Sequence, residues 1–155
     1  MTNLPAASMS KMQTYLQHQM DHKTTYGLGS KAPSLGADAC SYNAIDCSGE
    51  ARVLLYHGTE GALVIPDGSA TQHEWCETQG LHKVAYGNLG SKDAEGRLFI
   101  AFIAPHPVGH VWLVNGTTGE TLESHGGGAG PDYRAWDDPI LVHAVCACYE
   151  LPCVP

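Results

Sequence analysis

From residue 5 to residue 21 apolar side chains return every three or four positions, with Met9, Met12, Leu16 and Met20 on one stripe. That spacing predicts an amphipathic helix whose stripe packs into the core. The stretch 24–46, TTYGLGSKAPSLGADACSYNAID, loses the period and carries Gly and Pro at short intervals, so it reads as a loop. Helical spacing returns from Ser48 to about His57, where Ala51, Leu54 and Leu55 share a face, and Gly58 is a stop signal. ALVI at 62–65 is a short strand or an extended segment ahead of Pro66, and SATQHEWCETQG at 69–80 predicts a short helix capped by Ser69 or Thr71. The pattern then turns to β. RLFIAFIA (97–104), HVWLVNG (110–116) and ETLESHG (120–126) read as strands, with NGTTGE at 115–120 as a hairpin connection between the last two. ILVHAVCACY at 140–149 predicts a final strand. The order is helix, helix, then an antiparallel sheet. The expected class is therefore α+β, with N-terminal helices packed on an antiparallel sheet in a single domain over residues 1–155.

Charge narrows the function classes. The formal net charge is −8, only 15% of residues are charged, and no basic block exists. Nucleic-acid binding needs clustered Lys and Arg on phosphates, so it is not expected. No apolar run is long enough to cross a bilayer. The first twenty residues lack the basic start and continuous apolar segment of a signal peptide, so synthesis in the cytoplasm without a conventional export signal is expected. Six cysteines (Cys40, Cys47, Cys76, Cys146, Cys148 and Cys153) are many for a reducing compartment. If Cys47 is free, at most two bridges form, and CACYELPC at 146–153 is the expected place for one. The same cysteines with His143 offer a zinc reading, but their C-x-C-x4-C spacing is not a common zinc pattern. The glycine run after His125 lacks the ending and flanking elements of a phosphate-binding loop.

Candidate chemistry centres on Cys47, at the point where the loop becomes a helix. A thiol attacks as the thiolate, and the unpaired N–H groups of a helix N-terminus favour negative charge. Asp46 can cap the helix, Gly49 allows close approach, and the same N–H groups can hold an oxyanion. Cys47 could instead pair with Cys40 or be an inert buried thiol. A nucleophile needs a base, and a His held by a third polar group is the recurring solution. His110 begins one strand of the expected hairpin and His125 ends the other, so the two would meet at one end of the sheet. His110 is the candidate base and His125 its orienting partner, with Asp132 and Glu123 as alternatives for that place. Tyr133, Arg134 and Trp136 either line the groove or close the loop.

These residues resemble the NlpC-type cysteine peptidases, papain-like hydrolases of the cell wall. The resemblance lies in DCSG at 46–49, GHV at 109–111, His125 on the next strand and Tyr26 in an aromatic–Gly loop upstream, and it covers about residues 10–145. Glu50 stands where a hydrophobic residue is usual, and AEGRLFIAF replaces the common P-G-D before the first strand. The resemblance implies a papain-like fold and a peptidoglycan amidase or endopeptidase without a cofactor or metal. Its target would be a stem-peptide bond, that between γ-D-glutamate and the diamino acid. Cys47, His110 and His125 would be catalytic, with Tyr26, Asp46, Ser48 and Gly109 toward substrate. Two settings fit: a type VI secretion effector with a cognate immunity protein that plugs the site, acting in a recipient periplasm, or a phage endolysin. A non-catalytic cell-wall binding module is the alternative from another class.

Overall fold

The computed structural model describes residues 3–105 and 109–155. In chain order the elements are β1 (Ala7–Ser8), α1 (Met9–Asp21), β2 (Thr25–Tyr26), β3 (Ala44–Ile45), α2 (Cys47–Gly58) and α3 (Ser69–Thr78). After two 3-10 turns come β4 (Leu98–Ile103), β5 (His110–Asn115), β6 (Glu120–His125), β7 (Gly130–Asp132), α4 (Pro139–Ala144), β8 (Ala147–Leu151) and β9 (Cys153–Val154). The main sheet has five antiparallel strands in the order β7-β6-β5-β4-β8. Two short parallel pairs, β1 with β9 and β2 with β3, tie the ends and the long loop to the body.

Side-chain alternation along the strands divides the core in two. Leu98, Ile100, Phe102, Val111, Leu113 and Leu122 face α1 and α2, against Met12, Leu16, Val53, Leu54 and Leu55. Phe99, Ala101, Trp112 and Val114 face the other way, onto Tyr86, Leu89 and Leu141. The apolar stripe of α1 thus packs as its spacing predicts, although the helix starts at Met9 behind the N-cap Ser8 rather than at residue 5.

Two local expectations are corrected, and the open choice at 62–65 is decided for the extended segment. Helix α3 is capped by Gly68 with no side-chain bond, since Ser69 is already the first helical residue. Residues 62–65 form no strand; Leu63 and Ile65 are buried from an extended segment, and the Ile65 carbonyl accepts from Arg52 Nε at 2.9 Å. The run 140–149 is not one strand. Asp138 caps a helix through the Ile140 N–H with Pro139 in the first turn, so α4 comes first and β8 follows at Ala147.

Candidate active site

Helix α2 begins at the proposed nucleophile because Asp46 ends the preceding extended segment and turns its carboxylate onto the Gly49 N–H, at 2.8 Å. A helix leaves its first N–H groups without intrahelical partners. Gly49 gives its N–H to the Asp46 side chain and Glu50 gives its N–H to the Asp46 carbonyl. The N–H groups of Cys47 and Ser48 are the remaining donors of that turn. Cys47 is 7% exposed.

His110, the first residue of β5, lies near enough to Cys47 for the thiol to act on the charge of its imidazole. Its Nε2 bonds Glu123 Oε1 at 2.7 Å, which leaves Nδ1 for the sulfur. Trp112 stacks on the imidazole, with ring centroids 5.4 Å apart. Glu123, on β6, is wholly buried and does not rely on His110 alone. Arg134 grips it with two bonds, Nη2 to Oε1 at 2.5 Å and Nε to Oε2 at 3.0 Å, and Thr121 Oγ1 donates to Oε2. Four groups of alternating charge capacity therefore form a line: thiol, imidazole, carboxylate, guanidinium.

The electrostatics follow from that line. Burial pushes the His110 pKa down, but the bonds and charges of Cys47 and Glu123 outweigh it and raise the value to about 9. Burial would raise Glu123; its bonds to His110 and Arg134 prevail and hold it at about 2. His110 is thus an imidazolium at neutral pH beside the candidate nucleophile, with a permanently ionised partner behind it.

Not every expected residue joins this line. His125 does not orient His110: its Nε2 bonds Asp132 Oδ2 at 3.2 Å and its Nδ1 bonds the Gly126 carbonyl at 2.9 Å. The β5–β6 ladder runs from Asn115↔Glu120 to Leu113↔Leu122 and stops there, and beyond it His125 turns to its β7 neighbour. The orienting place falls to Glu123. Tyr26 is beside Cys47; burial first, then the charges of Cys47 and Asp46, raise its phenol pKa. Asp46 and Ser48 are buried and bound within the chain, Asp46 to Lys31 Nζ at 2.6 and 2.7 Å and to the Gly29 N–H at 3.2 Å, and Ser48 Oγ to Lys31 Nζ at 2.8 Å. They position the helix start rather than offer free groups. Gly109 leaves room for its neighbours, because a Cβ there would lie 2.8 Å from the Ile103 carbonyl and 2.9 Å from Ser69 Oγ. Lys31 is a residue that sequence reasoning did not place at the site; its partners come from other elements, so spacing carries no signal for it. Arg134, expected either to line the groove or to close the loop, holds Glu123.

The remaining cysteines form no bridge: all six are free thiols, so the expected bridge in CACYELPC is absent. Cys40 is exposed, with its Sγ toward the His18 carbonyl at 3.7 Å, and does not pair with Cys47. Among the described residues no three His, Cys, Asp or Glu side chains gather as a metal site requires. No helix among them is long and apolar enough to cross a membrane.

Neither a family model nor a curated protein matches the sequence. Among solved structures, the chain is similar to the P60 domain of an antigen from M. avium subspecies paratuberculosis, with a TM-score of 0.51 and 18% identity over 93% of this chain and 98% of that one. The shared architecture is that of the NlpC/P60 family, helices on an antiparallel sheet.

Proposed function

We propose that this protein is a cysteine hydrolase that cleaves an amide bond in the peptide stem of peptidoglycan, between γ-D-glutamate and the diamino acid. The observation that carries the reading is Cys47 at the start of α2, beside His110, whose Nε2 is held by the buried Glu123. The likeness in fold to a P60 domain and the DCSG and GHV motifs support the substrate class. In the reaction the Cys47 thiolate attacks the scissile carbonyl carbon, and the oxygen, now anionic, is held by the Cys47 N–H. His110 gives its Nδ1 proton to the departing amine nitrogen as the C–N bond breaks, leaving a thioester. Water then gives a proton to His110 and attacks the thioester, which releases the acid and Cys47. Glu123 holds the ring and stabilises its charge through both halves.

The test is digestion of purified sacculi of both diamino-acid types by the reduced wild-type protein and by Cys47→Ala, with soluble fragments identified by mass spectrometry. Fragments ending at one stem bond, absent with the variant, are expected. No release by either protein would sink the hydrolase reading and leave a cell-wall binding module. The biological setting we attach is that of a type VI secretion effector with an immunity protein over Cys47, and it rests on the resemblance. Toxicity on periplasmic but not cytoplasmic expression, lost with Cys47→Ala, is the expected result.

A further inference from the structure

Lys31, in the loop between β2 and β3, is a cation of the site that takes no part in proton transfer. Its ammonium bonds both oxygens of Asp46, Ser48 Oγ and Asp67 Oδ1, the last at 2.8 Å. The residues on either side of Cys47 in the chain are therefore both held by Lys31. The seat is shaped for it, since a Cβ on Gly49 would lie 3.2 Å from Lys31 Cδ and 2.9 Å from Asp46 Oδ1. A side chain at position 49 would crowd the lysine stem and the Asp46 carboxylate.

The two carboxylate partners are not equivalent. The Asp46 side chain is 8% exposed and takes further bonds from the Gly29 and Gly49 N–H groups. Asp67 is 52% exposed, while the Lys31 side chain itself is 30% exposed. An exposed ion pair contributes little to stability, so its exposed member is readily exchanged. Lys31 thus has one fixed carboxylate and one replaceable carboxylate. Of the other cations bonded within the site, Arg134 and the His110 imidazolium are both turned into Glu123. The chain as a whole carries −8, a field that repels anions and makes a local cation necessary for an acidic substrate.

We infer that Lys31 selects an acyl residue bearing a free carboxylate, which it binds in place of Asp67. The inference rests on the peptidoglycan reading of the site, where a γ-linked glutamate carries a free α-carboxylate beside the scissile amide. A charge-assisted hydrogen bond of this kind is worth on the order of tenfold or more in affinity.

The test reads binding on the Cys47→Ala protein, which cannot turn over. Calorimetry would compare the tripeptide L-Ala-γ-D-Glu-diaminopimelate with its counterpart amidated at the glutamate α-carboxyl. The free acid is expected to bind about tenfold tighter. Lys31→Met should remove that preference and Lys31→Arg should retain it. Asp67→Asn, which leaves the Lys31–Asp46 pair in place, should widen it by removing the competing carboxylate. Equal binding of the two ligands, or a preference that Asp67→Asn leaves where it was, overturns the inference. Sacculus digestion by the wild-type protein is read separately, so loss of the preference and loss of the hydrolase reading are different results.

Discussion

His110 lies between two groups that act on its charge, with Nε2 bonded to Glu123 and the Cys47 thiol nearby. Cys47 and the Glu123 carboxylate together keep the proton on the ring to about pH 9, because burial alone would lower the value. Replacing the carboxylate by an amide of the same shape removes the charge and keeps an acceptor. In Glu123→Gln the alkaline limb of the kcat/KM profile, expected near pH 9, should move toward acid by about one unit or more. A limb that stays put would show that Glu123 does not set the ring's charge. The contrast with His125 is equally direct. Glu123→Ala should lower kcat on the order of 10²-fold or more, whereas His125→Ala, whose ring is bonded to Asp132, should stay within about fivefold of wild type. The reverse order in a stopped assay on stem peptides would return the orienting place to His125. Cys47 and His110 were legible because each sits at an element end marked in the sequence: a capping Asp before a helical run, and the first residue of a strand. Glu123 was one of three candidates, since a period of two assigns residues to a face but does not say which of two on that face reaches across. Arg134 was legible only as a groove or loop residue, because nothing in the spacing tied it to Glu123.

Between α1 and α2 lies a polar group that the apolar patterns do not announce. Glu50 is fully buried, takes one bond from Gln19 Nε2 at 2.6 Å, and Gln19 Nε2 also donates to Tyr42 OH at 2.8 Å. Glu50 Oε2 and Gln19 Oε1 have no partner. An ionised carboxylate offers no donor to Gln19 Oε1, while a protonated one does, and desolvation accordingly raises the Glu50 pKa to about 8. Glu50→Gln should leave stability at pH 5 within about 1 kcal/mol of wild type and raise it by a few kcal/mol, in order of magnitude, at pH 9, where the native carboxyl is forced to ionise in the core. Equal urea midpoints for the two proteins at pH 9 would count against this. The bodies of α1 and α2 were legible, because three- and four-residue spacing survives a single polar intruder. The segment 140–149 was not. Its continuous apolar run suits a strand or a buried helix, and the Asp138–Pro139 pair, an N-cap followed by a first-turn proline, was the signal that decides for a helix.

For the whole molecule, three buried titrations set how stability depends on pH. Glu50 has a folded pKa near 8, above its ordinary 4.5, so its contribution is fully present below about pH 4.5 and is lost as pH rises through 8. His110 is raised from 6.5 to about 9, so its contribution is fully present below about 6.5 and is lost as pH rises through 9. Glu123 is depressed from 4.5 to about 2, so its contribution is present above 4.5 and is lost as pH falls toward 2. The first slope runs from about pH 4.5 to 8 and the second from about 6.5 to 9, so the two add between about 6.5 and 8, and the third acts only on the acid side. The melting temperature should therefore peak near pH 5 and fall by about 10 °C toward pH 9. Calorimetric scans across that range would show it, and Glu50→Gln should flatten the fall. A flat or rising curve from pH 5 to 9 would mean that the Glu50 carboxyl reaches water or a cation before it ionises. The His110 imidazolium and the Glu123 carboxylate are both in place from the acid side up to about pH 9, so the proposed hydrolase already has these charges where its fold is strongest. The alkaline loss of stability has a structural cause: the α2 helix that presents Cys47 from its first residue carries Glu50, three residues on, into the core.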